Sequence, residues 1–175
     1  SYGSFFNRQM RNKIHSFIEL ARLDKPIGIY LLLWPSLLGY VLAGINSELK
    51  FRNFLIVVIG SVLVRSCGCV INDISDYKID KLVKRTLNRP LAIGSISVVE
   101  AWIFFLFLGI LSLVLLFQTN PLTLKISIFL AFLIILYPLT KRFFIAPQFI
   151  LGITFGSGSI IAYSLESNIF SISLI

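Results

Sequence analysis

Asn72, Asp73, Asp76 and Asp80 stand in the stretch Cys69-Val70-Ile71-Asn72-Asp73-Ile74-Ser75-Asp76-Tyr77-Lys78-Ile79-Asp80, which gathers three of the chain's eight acidic residues. On a helix of about 100° per residue, Asn72, Asp76, Asp80 and Asp73 fall near 0°, 40°, 80° and 100°, so all four share one quadrant. Concentrating anionic charge in this way is unfavourable unless a cation is held there. Carboxylate and amide oxygens suit a hard divalent ion, and Mg²⁺ typically binds through one or two carboxylates together with substrate phosphates. Lys84, Arg85 and Arg89 follow directly, then Pro90. A diphosphate needs this pairing: the metal bridges carboxylates to phosphate oxygens, and Lys and Arg take up the remaining negative charge. The stretch predicts a Mg²⁺ site with Asn72, Asp73, Asp76 and Asp80 as ligands and catalytic residues. Lys84, Arg85 and Arg89 form its phosphate-binding flank.

The elements that must carry this site are read from the composition. Of 175 residues, 57% are hydrophobic and 14% charged, and the mean hydropathy is +0.89. A soluble domain has about 25% charged residues. A soluble globular domain, a disordered chain and a disulfide scaffold are thereby excluded. Apolar runs at about 26–44, 54–71, 98–118, 122–138 and 148–164 each approach the roughly 20 residues that cross a bilayer as a helix. A sixth run, 169–175, is too short to cross. The runs are continuous and do not alternate, which excludes barrel strands. In lipid the backbone must satisfy its own polar groups, so each run is expected to be helical. The fold class is all-α: a multi-span transmembrane helical bundle, one domain over 1–175, preceded by an interfacial segment at 1–25. Residues 8–21 carry Ile14, Phe17, Ile18 and Ala21 at helical spacing, the pattern of a short amphipathic helix on the membrane surface. The chain begins at Ser1 and stops inside an apolar run, so the expectation is a truncated bundle that belongs to a longer protein.

The net charge of +8 is unevenly placed. Arg8, Arg11, Lys13, Arg22 and Lys25, then Lys78, Lys81, Lys84, Arg85 and Arg89, then Lys141 and Arg142 fall on one side if the runs alternate. Lys50, Arg52 and Lys125 fall on the other. Twelve against three places the motif loop on the cytoplasmic side. This one-sided charge is a topology signal and implies no nucleic acid. The remaining cation, Arg65, lies inside the second run, two helical turns before Asn72 and on the same face.

Asn72-Asp73-x-x-Asp76-x-x-x-Asp80, followed by Val83-Lys84-Arg85-Thr86-x-Asn88-Arg89-Pro90-Leu91, resembles the first aspartate-rich motif of the UbiA-type membrane prenyltransferases. Arg22-Leu23-Asp24-Lys25-Pro26-Ile27-Gly28 with Leu33-Trp34-Pro35 resembles the start of that family's first span. Arg65-Ser66-Cys67-Gly68-Cys69 resembles the approach to its motif. Tyr137-Pro138-x-x-Lys141-Arg142, with Pro147-Gln148 and Leu151-Gly152, resembles the end of its fourth span and the start of its fifth. The resemblance runs from about residue 15 to 165 and is nearest to the 4-hydroxybenzoate polyprenyltransferase subgroup.

The resemblance implies a bundle of nine spans around a cavity open to lipid, of which this chain would supply about five. It implies Mg²⁺-dependent transfer of a polyprenyl chain from its diphosphate to the ring of 4-hydroxybenzoate, or of a similar aromatic acid such as homogentisate or a naphthoate, in ubiquinone biosynthesis. The family carries a second aspartate-rich motif that this sequence lacks; downstream of Asp80 the acids are Glu100 and Glu166. The chain alone is therefore expected to be a part of the enzyme, and an inactive fragment is the alternative. Tyr137, Lys141 and Arg142 join Lys84, Arg85 and Arg89 as phosphate contacts. Arg22, at the cavity mouth in the family pattern, is expected to contact the aromatic carboxylate, and Arg65 the aromatic carboxylate or the diphosphate. The expected partners are a polyprenyl diphosphate, an aromatic acid and membrane lipid. The expected location is a bacterial inner membrane rather than a mitochondrial one, as no transit peptide is visible. An ion-coupled transporter would place acids within the spans, whereas here they gather at one mouth beside Lys and Arg. Cys67 and Cys69 lie on opposite faces and read as packing residues, as do Gly152, Gly156 and Gly158.

Overall fold

The computed structural model describes residues 2–43, 50–140 and 147–167, and all regular structure among them is helical. Seven helices follow one another: α1 (Tyr2–Leu20), α2 (Ile27–Ala43), α3 (Phe51–Asp80), α4 (Pro90–Ile93), α5 (Val98–Leu116), α6 (Pro121–Thr140) and α7 (Pro147–Ser167). The short run at 169–175 lies outside the described residues.

α3 and α5 are long and apolar enough to cross a membrane. α3 has 30 residues, so its length is about 45 Å at 1.5 Å per residue. A hydrocarbon core is about 30 Å thick. The excess, about ten residues, is enough to carry Asn72 to Asp80 out of the apolar layer without interrupting the helix. This is why the acids can be both helical and polar.

Two apolar clusters hold the bundle. At the acidic end, Leu20 of α1, Val70 and Ile74 of α3, Leu91 of α4, Ile96, and Ala101 and Leu108 of α5 form one core, with Phe17 and Phe104 packed against it. The Phe17 and Phe104 rings lie 5.0 Å apart. At the other end, Tyr40, Ile56, Val57, Ala162 and Leu165 join α2, α3 and α7. Polar ties close that end. Arg52 donates to the Gln118 carbonyl at 2.7 Å, and the Asn120 amide donates to the Ser164 carbonyl at 2.9 Å. Thr123 and Ser164 share a buried hydroxyl pair at 2.9 Å.

α2 packs most extensively on α7, and small residues make this possible. A Cβ at Gly39 would strike the backbone of Ser159, and one at Gly158 would strike Ser36 Oγ. Backbones approach this closely only where side chains are absent. Gly158 thus behaves as its spacing suggested. Gly152 and Gly156 have open space where a Cβ would stand, so they face away from the helix contact.

Start and stop signals account for the acidic end. Ser97 caps α5: its Oγ accepts from the Glu100 amide, and the Glu100 carboxylate accepts from the Ser97 amide, both at 3.2 Å. Pro90 opens α4, and Gly94 (φ 78°) closes it in the left-handed conformation, as Gly does after many helices. α1 ends in the same kind of cap. Arg22 N donates to Glu19 O at 3.0 Å and Leu23 N to Ile18 O at 3.1 Å. This is the Schellman pattern, with Arg22 at the position Gly usually takes. Arg22 has φ 57°, a conformation that costs an L residue with a Cβ roughly 1–2 kcal/mol.

Candidate functional site

The quadrant of α3 that carries Asn72, Asp73, Asp76 and Asp80 is not uniform. Asp73 is completely buried and Asp80 nearly so. Asn72 and Asp76, one helical turn apart, are half-buried. Two arginines explain the buried pair. Arg22 Nη2 donates to Asp73 Oδ1 at 2.9 Å. Arg89 Nη1 lies between two carboxylates, 3.4 Å from Asp73 Oδ1 and 2.9 Å from Asp80 Oδ2. A buried carboxylate needs such partners, because desolvating a charge costs several kcal/mol when it is left uncompensated. Asp73 Oδ2 is sealed from solvent and has no hydrogen-bond partner among the described residues.

Each arginine is delivered by local structure. Arg22 is turned toward α3 by the left-handed cap at the end of α1. α1 is itself docked by Leu20, by the Phe17–Phe104 contact and by Lys13. Lys13 Nζ lies 2.6 Å from Glu100 Oε2 and donates to the Ser95 carbonyl at 3.1 Å. Arg89 is brought back by the loop that follows α3. The buried Thr86 hydroxyl donates to the carbonyls of Asp80 and Val83, and the Arg89 amide donates to Thr86 O at 3.1 Å. This fold-back lets a residue nine positions after Asp80 reach two turns back along the helix.

Arg65 sits deeper. It is half-buried, and its guanidinium lies against Gly28 at the start of α2, where a Cβ would collide with it. Its buried Nε has no hydrogen-bond partner among the described residues. Lys84 and Arg85 are exposed on the loop, and among the described residues neither forms an ion pair. Tyr137 falls in α6, but its side chain is outside the described residues, as are Lys141 and Arg142.

An apolar cavity of about 480 Å³ is walled by α2, α3, α5, α6 and α7. Its α3 wall runs through Gly60, Val64 and Cys67 to Ile71, the residue before Asn72. Most hydroxyls on its walls are satisfied internally, and the buried Ser127 Oγ has no hydrogen-bond partner among the described residues. Ser36, Ser61 and Ser112 donate to the carbonyls four residues back, at 2.9, 2.8 and 2.9 Å. Apart from Ser127, the cavity therefore presents hydrocarbon to whatever fills it. Cys67 and Cys69 are free thiols.

The donor set fits a hard divalent cation on the open side of the quadrant: an amide oxygen from Asn72 and a carboxylate from Asp76, with phosphates to complete the shell. Among the described residues, no three His, Cys, Asp or Glu side chains converge tightly enough to hold a metal by themselves. Lys13, Ser97 and Glu100 escaped the sequence reading. Ser97-x-x-Glu100 is a capping-box signature and was available as a signal. The long-range partner Lys13 left none.

The profile of the UbiA prenyltransferase family matches residues 32–175. A 4-hydroxybenzoate octaprenyltransferase from Shewanella loihica is 44% identical over 158 residues, which is 90% of this chain and 54% of the relative. One from Vesicomyosocius okutanii is 48% identical over 148 residues, 84% of this chain and 54% of the relative. Among solved structures, a UbiA homolog from Archaeoglobus fulgidus bound to GPP and Mg²⁺ superposes with a TM-score of 0.76 at 18% identity, over 91% of this chain and 56% of that one. The chain spans about half the length of the curated relatives it matches.

Proposed function

The chain belongs to the UbiA prenyltransferase family, and on that premise we propose that it carries the diphosphate-binding part of an enzyme that prenylates 4-hydroxybenzoate. One observation carries this reading. An almost purely apolar cavity runs along α3 as far as Ile71, and the next turns of the same helix carry the carboxylates and their arginines. A polyprenyl diphosphate has the same two parts in the same order, a long hydrocarbon and an anionic head.

The head would lie against Asn72, Asp76, Arg22 and Arg89, with Lys84 and Arg85 above it, and Tyr137, Lys141 and Arg142 are proposed as further phosphate contacts. Asn72 and Asp76 would hold Mg²⁺, which when bound neutralises charge on the departing diphosphate. The acids of this site stand on the cytoplasmic side of an inner membrane in this reading. In the reaction the allylic C1–O bond breaks and its electron pair leaves with the diphosphate. The ring carbon ortho to the hydroxyl forms the new bond to C1, and the ring then loses a proton to solvent. Arg65, whose buried Nε has no hydrogen-bond partner among the described residues, would receive the acceptor's carboxylate. Such a contact orients the ring, and orientation is where much of the rate of a two-substrate reaction arises. The names of the curated relatives support 4-hydroxybenzoate as the acceptor and ubiquinone formation as the pathway.

The test is transfer of a labelled polyprenyl chain to 4-hydroxybenzoate by the full-length protein in membranes, with and without Mg²⁺. Homogentisate and a dihydroxynaphthoate serve as rival acceptors, compared by kcat/KM. Inactivity with every acceptor would refute the enzyme reading. Full activity of Asp76→Ala would refute the cation assignment alone.

A further inference from the structure

We infer that Asp73 is a positioning residue, the shared counter-ion that holds Arg22 and Arg89 against the diphosphate site, and is not itself a metal ligand. The inference rests on the proposed function for the identity of that site. Asp73 lies in the same quadrant of α3 as Asn72 and Asp76, yet its side chain is 1% exposed. Oδ1 is taken by Arg22 at 2.9 Å and approached by Arg89 at 3.4 Å. Oδ2 is sealed from solvent. A metal ion would reach Asp73 only by evicting an arginine or by opening the packing around Oδ2.

The two arginines are held at one end and open at the other. Each guanidinium has five N–H donors in a fixed fork. The ion pairs with Asp73 and Asp80 engage Nη2 of Arg22 and Nη1 of Arg89. Both side chains remain about a quarter exposed, 27% and 24%. Held through one nitrogen by a buried carboxylate and still partly exposed, each keeps further donors for planar recognition of phosphate oxygens. The arginines also arrive from segments distant in sequence, 51 residues before Asp73 and 16 after it. Asp73 is the point at which α1, α3 and the 81–89 loop are registered against one another. The left-handed backbone of Arg22 fits this role. A Gly would close the α1 cap with less strain but would bring no guanidinium.

The experiment uses the full-length protein in lipid nanodiscs, with Mn²⁺ as the metal probe and inorganic pyrophosphate as the anion. Electron paramagnetic resonance gives Mn²⁺ affinity for wild type, Asp73→Asn, Asp76→Asn and Arg22→Gln. Asp73→Asn and Arg22→Gln should stay within about twofold of wild type, and Asp76→Asn should weaken binding about tenfold or more. In steady-state assays, Asp73→Asn and Arg22→Gln should each raise the KM for the prenyl diphosphate about tenfold, with a smaller change in kcat, and the double variant should be no worse than either. Arg22→Lys should rescue only partly, because it cannot be shared in the same fork. Loss of Mn²⁺ affinity in Asp73→Asn equal to that of Asp76→Asn would make Asp73 a ligand and overturn the inference. So would KM effects that multiply in the double variant. If Asp73→Asn does not fold, Arg22→Gln, altered from the exposed side, carries the same comparison. If wild type binds no Mn²⁺, the metal assignment of the proposed function falls. The coupling of Asp73 to Arg22, read from unfolding temperatures of the four species, then still decides the positioning role.

Discussion

Gly28→Ala is a small change far from the acids that should impair one substrate and spare the other. A Cβ at position 28 would stand 2.6 Å from Arg65 Nη2 and 2.7 Å from Cζ, and nearer still to Nε. Ordinary contact begins at about 3.5 Å, so the guanidinium must retreat by about 1 Å. The obstacle is the end of a flexible side chain, not backbone, so the fold yields at little cost. Ala in place of Gly within a helix even favours stability by about 0.5–1 kcal/mol. Function does not yield as cheaply. A hydrogen bond to a charged group contributes about 1.5–3 kcal/mol, and misplacement by about 1 Å can cost up to 10²-fold. The expected result is a rise of about tenfold in KM for 4-hydroxybenzoate, an unchanged KM for the prenyl diphosphate and an unfolding temperature equal to or above that of wild type. In an Arg65→Gln background, Gly28→Ala should add nothing. The reasoning is refuted if Gly28→Ala leaves the acceptor KM unchanged, or if its effect is as large without Arg65 as with it.

Further outcomes follow from the same structure. Gly109 lines the cavity and has no atom within 4 Å of a notional Cβ, so Gly109→Phe should fill the cavity without moving backbone. Competition between geranyl and octaprenyl diphosphate should then swing toward the short donor, and an unchanged ratio would remove the cavity from donor binding. Gly39→Ala should destabilise the bundle by about 1–3 kcal/mol, because its Cβ meets the Ser159 backbone, whereas Gly156→Ala should be neutral or stabilising; thermal unfolding in detergent compares the two. Arg22→Gly relieves a left-handed residue, about 1–2 kcal/mol, but breaks a buried ion pair, about 3–5 kcal/mol. It should therefore lower the unfolding temperature, and a more stable variant would show that the cap outweighs the pair.

The helices were legible because lipid leaves the backbone no alternative, and the apolar runs needed only to be long. The acidic site was legible in composition and angle. Asn72, Asp73, Asp76 and Asp80 do share one side of α3, with Arg89 among the cations that follow. What angle along one helix cannot carry is the identity of the neighbour at each edge. Asp73, at the margin of the quadrant, meets the end of α1, and its partner Arg22 is 51 residues away. Glu100 shows the same limit. Its bond to the Ser97 amide is written in a four-residue pattern, while its partner Lys13 depends on how α1 docks. Gly156 and Gly158 are alike in sequence and differ only in which meets α2.

The arrangement of charge separates two tasks that a basic loop alone would combine. Arg22, Arg89, Asp73 and Asp80 together carry no net charge, so this quartet projects little field beyond its own contacts and cannot draw an anionic head toward the membrane. Lys78, Lys81, Lys84 and Arg85 are exposed around it, and their surplus charge can act over a Debye length of about 8 Å at physiological salt. Attraction of the diphosphate would thus rest with these exposed, screened cations. Its orientation would rest with the neutral quartet, whose buried contacts salt barely reaches. A site built the other way, with flexible lysines as the only phosphate contacts, would lose both with added salt. On the proposed function, burying two of the motif's carboxylates would keep donor orientation independent of donor capture.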